Sequence, residues 1–220
     1  MIKYCIFDLD GTLLDTLGSI GYYLNNTLSA NGYSELTREE CREYIGNGAK
    51  MLVRRALKKS GEEREEVITR VLSQYSAAYD KAPYYLTVPY DGIMELIAGL
   101  KARGVTLAVL SNKPNSTTQS VVREFFADGF QLVRGALDGV PLKPEPAACL
   151  ALMEIMGAAP NECAFIGDTG VDIETGKRAS VGLKIGVSWG FRDTEELLLS
   201  GADKIAQSSS DILKFVCEVE

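Results

Sequence analysis

The chain has 220 residues, of which 23 are basic and 30 acidic, and its net charge at neutral pH is −7. It contains no histidine. This absence excludes a Ser-His-Asp triad, a Cys-His nucleophile pair and a zinc site with histidine ligands. The acidic balance argues against a nucleic-acid-binding surface, which needs clustered positive charge. Proton transfer in any active site therefore falls to carboxylates, lysines, tyrosines or cysteines.

A hydrophobic fraction of 46% and a charged fraction of 24% are typical of globular proteins. No window of eighteen residues is apolar throughout, and the chain begins without a signal-peptide pattern. We therefore expect a cytoplasmic protein with no membrane span and with reduced thiols. The cysteines are odd in number and form no closely spaced pair: Cys5, Cys41, Cys149, Cys163 and Cys217.

Five short apolar runs recur along the chain, at residues 4–7, 105–110, 130–133, 163–166 and 183–187. They are continuous rather than alternating, which is typical of parallel strands buried on both faces. Amphipathic helical patterns separate the later runs. This alternation predicts an α/β fold with a doubly wound parallel sheet.

Residues 15–86 interrupt this order, since they contain several helical patterns and no convincing strand. The chain enters this stretch after its first strand and returns through Pro83 and Pro89 to the remaining strands. Because the chain passes twice between the core and this stretch, the stretch is predicted to be an inserted helical subdomain. We predict a core of residues 1–14 and 87–220 and an inserted subdomain of residues 15–86. Acidic and basic residues balance within the insertion, so the net charge belongs to the core.

Two carboxylates follow the first predicted strand. Asp8 and Asp10 leave that strand on the same side, because side chains alternate along a strand. Gly11 and Thr12 come next. An Asp-Gly pair alone is ordinary turn chemistry, but two carboxylates and a Gly-Thr at the end of a buried strand favour a binding site.

Polar residues also follow two other predicted strands. Ser111-Asn112 comes after residues 105–110 and would otherwise be a simple turn. Asp168 and Asp172 follow residues 163–166 and would otherwise be a helix cap and a solvated residue. Lys143, before Pro144, would otherwise be a solvated lysine. Because the carboxyl ends of parallel strands meet at one edge of the sheet, we expect these groups to converge there.

Four segments resemble, in order and spacing, the four motifs of the haloacid dehalogenase superfamily: Asp8-Leu9-Asp10-Gly11-Thr12-Leu13, Ser111-Asn112, Lys143-Pro144 and Gly167-Asp168-Thr169-Gly170-Val171-Asp172. The insertion after the first motif resembles the helical cap of this superfamily. Two glycine-rich segments, residues 46–48 and 186–190, are similar to its phosphoglycolate phosphatase and pyrophosphatase branch. The second aspartate of the first motif, Asp10, favours a phosphatase over a dehalogenase.

The resemblance implies a role for each core residue. Asp8 would attack phosphorus and form an aspartyl-phosphate, and its reference pKa of about 3.9 predicts that it is ionised at neutral pH. Asp10 would protonate the leaving alkoxide and then accept a proton from water. Lys143 would neutralise charge on Asp8 and the phosphoryl group.

The substrate-binding residues implied by the resemblance lie in both predicted subdomains. Ser111 and the backbone amide of Asn112 would hold phosphoryl oxygens, beside the Gly11-Thr12 turn. In the inserted subdomain we expect Asn47 and Lys50 to contact the substrate, with a solvated helix residue as the alternative for Lys50.

The predicted site gathers four carboxylates, those of Asp8, Asp10, Asp168 and Asp172, beside a phosphate. Like charges about 4 Å apart repel by roughly 4 kcal/mol at an effective dielectric near 20. A hard divalent cation offsets several such pairs, and Mg²⁺ suits oxygen ligands and phosphates. The resemblance assigns it to Asp8, Asp168 and the backbone carbonyl of Asp10, with Asp172 as a ligand or a support.

We therefore expect a Mg²⁺-dependent phosphatase that hydrolyses a small-molecule phosphomonoester similar to phosphoglycolate, with no nucleic-acid or membrane partner. Inorganic pyrophosphate, a nucleotide or a sugar phosphate remains open as the substrate of the same site. A non-catalytic phosphate-binding regulatory module is the second class of function. The oligomeric state, monomer or homodimer, is also open.

Overall fold

The structure, a computed structural model, describes residues 1–217. The strands are β1 (Tyr4–Phe7), β2 (Leu14–Asp15), β3 (Val88–Pro89), β4 (Thr106–Pro114), β5 (Leu132–Ala136), β6 (Cys163–Gly167), β7 (Leu183–Val187) and β8 (Lys204–Ala206). The helices are α1 (Leu17–Ala30), α2 (Arg38–Tyr44), α3 (Ala49–Lys59), α4 (Glu65–Tyr79), α5 (Ile93–Ala102), α6 (Asn115–Phe126), α7 (Ala147–Met156), α8 (Gly170–Arg178), α9 (Thr194–Leu199) and α10 (Ser209–Cys217). A short 3₁₀ turn covers Pro160–Glu162.

The main sheet has six parallel strands in the order β5-β4-β1-β6-β7-β8. In the register of the central strand, Tyr4 lies opposite Thr106 of β4 on one side and Cys163 of β6 on the other. Strand order reverses beside β1, so the carboxyl ends of β1, β4 and β6 lie next to one another at the usual ligand-binding edge of such sheets. The predicted doubly wound α/β fold is confirmed.

Two apolar layers cover the sheet, one on each face. Phe7 of β1 packs in the same layer as Ile93 of α5. Ile6, one residue earlier, packs in the other layer with Phe165 of β6 and Leu152 of α7. Successive side chains of a strand point to opposite faces, so the continuous apolar run of β1 reflects burial on both sides.

The two-residue strands β2 and β3 were not predicted, and three strands of the main sheet differ from the prediction by more than one residue. The third predicted strand, residues 130–133, is shifted to β5 because Phe130 packs in the core while regular pairing begins with Leu132 opposite Ala108. β4 continues four residues beyond the predicted end at residue 110, with a register shift between Leu110 and Pro114. β8 was not predicted, since a three-residue edge strand that begins with the exposed Lys204 gives no apolar run.

The chain divides into two compact units. One comprises Met1–Asp15 together with the chain from Pro89 onward, and the other comprises Thr16–Val88. The short strands β2 and β3 pair with each other where the chain leaves the first unit and returns to it. The sequence predicts the corresponding boundaries at residues 14/15 and 86/87.

The second unit is built from α1 to α4. In α3 the residues that are buried lie along one face of the helix: Leu52, Val53, Ala56 and Leu57. A capping box starts α2: the Thr37 hydroxyl accepts from the Glu40 N–H at 3.2 Å, and the Glu40 carboxylate accepts from the Thr37 N–H at 2.8 Å. Local sequence therefore determines where this helix begins.

None of the helices within residues 1–217 is long and apolar enough to cross a membrane. The five cysteines are free thiols, and four of them are buried.

Ile6→Ala should lower the free energy of unfolding by about 2–5 kcal/mol, because it removes a fully buried side chain from the central strand. Denaturant unfolding measures this change. The control is Ile155→Ala in α7, where the side chain is 64% exposed and the expected change is within about 0.5 kcal/mol. Equal effects of the two substitutions would contradict this description of the core.

Candidate active site

Lys143 connects the carboxylates of two different segments of the site. Its Nζ donates to Asp8 Oδ1 at 2.6 Å and to Asp172 Oδ1 at 2.7 Å. The Lys143 side chain is only 3% exposed, so it is not the solvated lysine that was the alternative interpretation. Burial lowers the pKa of Lys143, but the carboxylates of Asp172 and Asp8 outweigh that effect and raise it above its ordinary value. Lys143 therefore provides a fixed positive charge beside Asp8.

The backbone of Lys143 is held by the carboxamide of Asn112 at the end of β4. Asn112 Oδ1 accepts from the Lys143 N–H at 2.9 Å, and Asn112 Nδ2 donates to the Lys143 carbonyl at 3.1 Å. With these two bonds the Asn112 carboxamide pairs with both the N–H and the carbonyl of Lys143, as the backbone of a neighbouring strand would. The Asn112 side chain thus positions Lys143, a role that the sequence did not reveal.

Asp8 lies directly after β1, where its N–H donates to the Ile166 carbonyl of β6 at 2.9 Å. Burial raises the pKa of the Asp8 carboxyl to about 7, against the opposing effect of Lys143 and with further increases from Asp172 and Asp10. The raised pKa differs from the sequence-based expectation, in which the reference pKa predicted a carboxylate ionised at neutral pH. The cause is the loss of water around a group that faces other carboxylates.

Asp172 is the third residue of α8 and completes a capping box with Thr169. The Thr169 N–H and hydroxyl donate to Asp172 Oδ2 at 3.1 and 2.7 Å, while Oδ1 accepts from Lys143. The Asp172 side chain is 1% exposed, so it does not lie on a solvated helix face, which was the alternative interpretation. A carboxylate in the first turn of a helix is stabilised by the helix dipole.

Asp168 is held by groups from two loops. The Thr12 hydroxyl donates to Asp168 Oδ1 at 3.0 Å, and the Phe191 N–H donates to Oδ2 at 2.8 Å. A Cβ at Gly11, where φ is +88°, would lie 2.3 Å from Asp168 Oδ2. Burial raises the pKa of Asp168 well above its ordinary value, and Asp172 and Asp8 raise it further. Gly11 and Thr12, predicted to bind substrate, here surround this carboxylate.

The loop after β7 supports the same turn. The Trp189 indole N–H donates to the Thr12 carbonyl at 3.1 Å, and the Trp189 ring lies 6.3 Å from the ring of Tyr90. A Cβ at Gly190 would lie 2.2 Å from the Asp168 Cβ. The sequence singled out this segment only for its resemblance to one branch of the family, and it did not predict these contacts.

The carboxylates of Asp8, Asp168 and Asp172 form a group that could hold a metal ion. One oxygen from each lies within 4.8 Å of the others, and all three residues are buried. These are hard oxygen ligands, and burial together with the neighbouring carboxylates raises the pKa values of Asp8 and Asp168. The residues present therefore fit a hard divalent cation.

Asp10 has a different environment. Lys113 Nζ donates to its two carboxylate oxygens at 2.8 and 3.0 Å. Lys113 was not predicted as a site residue, because the sequence placed the end of β4 at residue 110 and a lysine beyond a strand is ordinarily solvated. Its position directly after Ser111-Asn112 was the one available signal.

The remaining predicted residues lie as follows. Ser111 is buried beside the site, and its hydroxyl accepts from the Lys113 N–H at 3.2 Å. In the second unit, Asn47 Oδ1 accepts from the Arg55 guanidinium at 2.7 Å. Lys50 is exposed and pairs with Glu65 at 2.5 Å. Contact of Asn47 and Lys50 with a substrate stays a prediction.

The sequence model of the family described as "Haloacid dehalogenase-like hydrolase" matches residues 5–184. A phosphoglycolate phosphatase of Vibrio vulnificus (strain YJ016) is 31% identical over 98% of this chain and 96% of its own length. A phosphoglycolate phosphatase of Aquifex aeolicus (strain VF5) is 34% identical over 86% of each chain. A protein from Lactobacillus delbrueckii subsp. bulgaricus with a crystal structure is 30% identical in sequence to this chain. The two structures match with a TM-score of 0.92 over 97% of this chain and 98% of the other.

The fold, the order of the four motifs and the similarity to these relatives all indicate the same family. The chain belongs to the haloacid dehalogenase-like hydrolase family and is one of its phosphatases, similar to phosphoglycolate phosphatases.

Proposed function

We propose that this phosphatase hydrolyses a small phosphomonoester of the phosphoglycolate type through an aspartyl-phosphate on Asp8, with Mg²⁺ as cofactor. The observation that carries the proposal is the buried Asp8 carboxylate, bonded to Lys143 and adjacent to Asp168 and Asp172. The names of the relatives support phosphoglycolate as the substrate.

The first half of the reaction forms a bond between an Asp8 oxygen and phosphorus, and breaks the bond from phosphorus to the ester oxygen. Lys143 stabilises the negative charge that Asp8 and the phosphoryl oxygens share. Asp10 donates its proton to the departing alkoxide, which leaves as the alcohol. Ser111 and the Asn112 N–H hold phosphoryl oxygens in this proposal.

The second half returns the enzyme to its starting state. Asp10, now a carboxylate, accepts a proton from a water molecule that attacks phosphorus, and the bond between phosphorus and Asp8 breaks. Inorganic phosphate leaves, and Asp10 again carries the proton for the next cycle. One ester and one water thereby give one alcohol and one phosphate.

Asp8, Asp168 and the backbone carbonyl of Asp10 would hold Mg²⁺, with Asp172 as a further ligand or as a support. When bound, the cation would supply positive charge that keeps buried carboxylates ionised and offsets the charge of the phosphoryl group. Thr12 and the Phe191 N–H orient Asp168 for this role through the two bonds that they donate to it. In this proposal residues 15–86 are the helical cap subdomain of this family.

A panel of phosphate compounds tests the substrate. With Mg²⁺, kcat/KM for 2-phosphoglycolate should exceed the values for nucleoside monophosphates, sugar phosphates and inorganic pyrophosphate by at least about tenfold. Released phosphate is the measurement. A clear preference for one of the other compounds would keep the chemistry and reject this substrate, whereas no release from any of them would reject the function.

Asp8→Asn should lower kcat by more than about a thousandfold, because the amide is a poor nucleophile toward phosphorus. The fold should persist, since Lys143 keeps its bond to Asp172. Steady-state kinetics and circular dichroism measure the two effects. The matched control is Asp138→Asn at an exposed position, which should retain wild-type activity. Near-normal turnover of Asp8→Asn would contradict the role of Asp8.

Mg²⁺ should raise Tm more at about pH 8 than at about pH 6. The folded-state pKa of Asp8, about 7, lies above the ordinary value, so its proton stabilises the cation-free protein in acid, and this contribution is lost as pH rises through 7. Cation binding needs ionised carboxylates and therefore strengthens over the same interval.

Thermal unfolding with Mg²⁺ and with a chelator measures this difference. Asp168→Asn should abolish most of the Mg²⁺-dependent shift in Tm, whereas the exposed Asp138→Asn should retain it. A shift that is equal at both pH values, or unchanged in Asp168→Asn, would contradict the assignment of the carboxylate group to the cation.

A further inference from the structure

We propose that Lys113 is a positioning residue that fixes the Asp10 carboxylate for proton transfer to the leaving group. This inference rests on the proposed function, because it concerns the step in which Asp10 protonates the alkoxide. No motif that the sequence analysis singled out includes Lys113, and its role follows from the contacts of the folded chain.

The pair between Lys113 and Asp10 is buried and uses both carboxylate oxygens. The two N–O distances are 2.8 and 3.0 Å, and the side chains are 7% and 14% exposed. Removing an ammonium group from water is unfavourable unless a partner compensates for it. A flexible lysine ordinarily extends its charged end to solvent. Here the chain instead directs it onto Asp10.

The backbone of Lys113 is itself fixed, so the ammonium group has a defined origin. Its N–H donates to the Ser111 hydroxyl at 3.2 Å, and its carbonyl accepts from the Thr118 hydroxyl of α6 at 3.1 Å. A Cβ at Gly135 of β5 would lie 2.5 Å from that carbonyl oxygen. β4, β5 and α6 thus hold Lys113 in place.

Asp10 is the acid–base residue of the proposed function. It lies beyond the end of β1, in the turn that reaches Leu14, and is linked there by an isolated bridge. General acid catalysis requires the donor to stand within hydrogen-bond reach of the leaving oxygen, and a displacement of about 1 Å can cost roughly a hundredfold in rate. A contact with both oxygens fixes the orientation of the ionised carboxylate. When Asp10 is protonated, one oxygen keeps the contact with Lys113 and the other carries the proton toward the leaving group.

The two buried lysines therefore serve different carboxylates. Lys143 bonds to Asp8 and Asp172, which belong to the nucleophile and the proposed cation site. Lys113 bonds to the acid–base residue. Loss of Lys143 should slow phosphoryl transfer from every ester, whereas loss of Lys113 should slow it chiefly where the leaving group needs a proton.

A double-mutant cycle with two substrates tests this difference. The variants are Lys113→Met, Asp10→Asn and the double variant, assayed with 2-phosphoglycolate and p-nitrophenyl phosphate. The alkoxide of the first needs a proton on departure, and the nitrophenolate of the second does not. The measured quantity is kcat/KM, which includes leaving-group departure and excludes the later hydrolysis of the aspartyl-phosphate.

Lys113→Met should lower kcat/KM for 2-phosphoglycolate about a hundredfold and for p-nitrophenyl phosphate less than about tenfold. In the Asp10→Asn background the same substitution should change either value by no more than about twofold, because the residue through which Lys113 acts has already lost its proton-transfer function. Lys143→Met should lower kcat/KM for both substrates by the same factor. Lys214→Met in α10, where the side chain is 59% exposed, should leave both unchanged.

Three results would overturn the inference. Equal losses on both substrates that persist in Asp10→Asn indicate a lysine that binds the phosphate directly. Equal losses of kcat/KM on both substrates in Lys113→Met, accompanied by a fall in Tm, indicate a purely structural ion pair. Wild-type kinetics in Lys113→Met would exclude any role.

If Lys113→Met does not fold, Lys113→Gln takes its place in the cycle, since its amide keeps an N–H donor, and the same substrate selectivity is expected. A wild-type protein inactive on both esters would instead reject the proposed function. Active wild type with unselective losses rejects only the inference about Lys113.

Discussion

Asp8, Asp168 and Asp172 lie buried at the carboxyl edge of the sheet with one carboxylate oxygen of each within 4.8 Å of the others, so like charges face one another away from water. At about 4 Å two such charges repel by roughly 4 kcal/mol at an effective dielectric near 20. Lys143 bonds to two of the three, Asp8 and Asp172, and Asp168 receives two hydrogen bonds. Burial, together with the carboxylates of Asp172 and Asp10, nevertheless raises the pKa of Asp8 to about 7. A hard divalent cation held by these carboxylates would add positive charge to that of Lys143.

The positions of these residues at the ends of neighbouring strands and at the start of a helix bring their charges together. Asp8 follows the central strand, Asp168 follows its neighbour β6, and Asp172 begins α8, where the helix dipole favours a carboxylate. Asn112 then fixes Lys143 by pairing with its backbone N–H and carbonyl. The close approach of Gly11 to Asp168 shows how little space remains, because any larger residue would displace the carboxylate. The sheet topology and a few short contacts therefore produce the charge arrangement.

Much of this could be predicted from sequence because it depends on local patterns. Continuous apolar runs identify buried parallel strands, and polar residues after them identify the edge where Asp8 and Asp168 meet. Other features depend on the folded chain. β8 is too short to give a pattern, and nothing in the sequence shows that Lys113 turns inward, since its burial depends on the extension of β4 to Pro114. The contact of Trp189 with the Thr12 carbonyl joins residues 177 positions apart, which no local pattern reveals.

Chemical trapping of the phosphorylated residue tests the central claim most directly. Wild-type protein and Asp10→Asn would be mixed with substrate and Mg²⁺, quenched in acid within the first turnover, and mapped by peptide mass spectrometry. With p-nitrophenyl phosphate, whose leaving group needs no proton, Asp10→Asn should accumulate more adduct, because the base for its hydrolysis is missing. The account predicts a phosphoryl group on Asp8 in both proteins. A phosphoryl group on another residue, or phosphate release with no adduct in either protein, would contradict it.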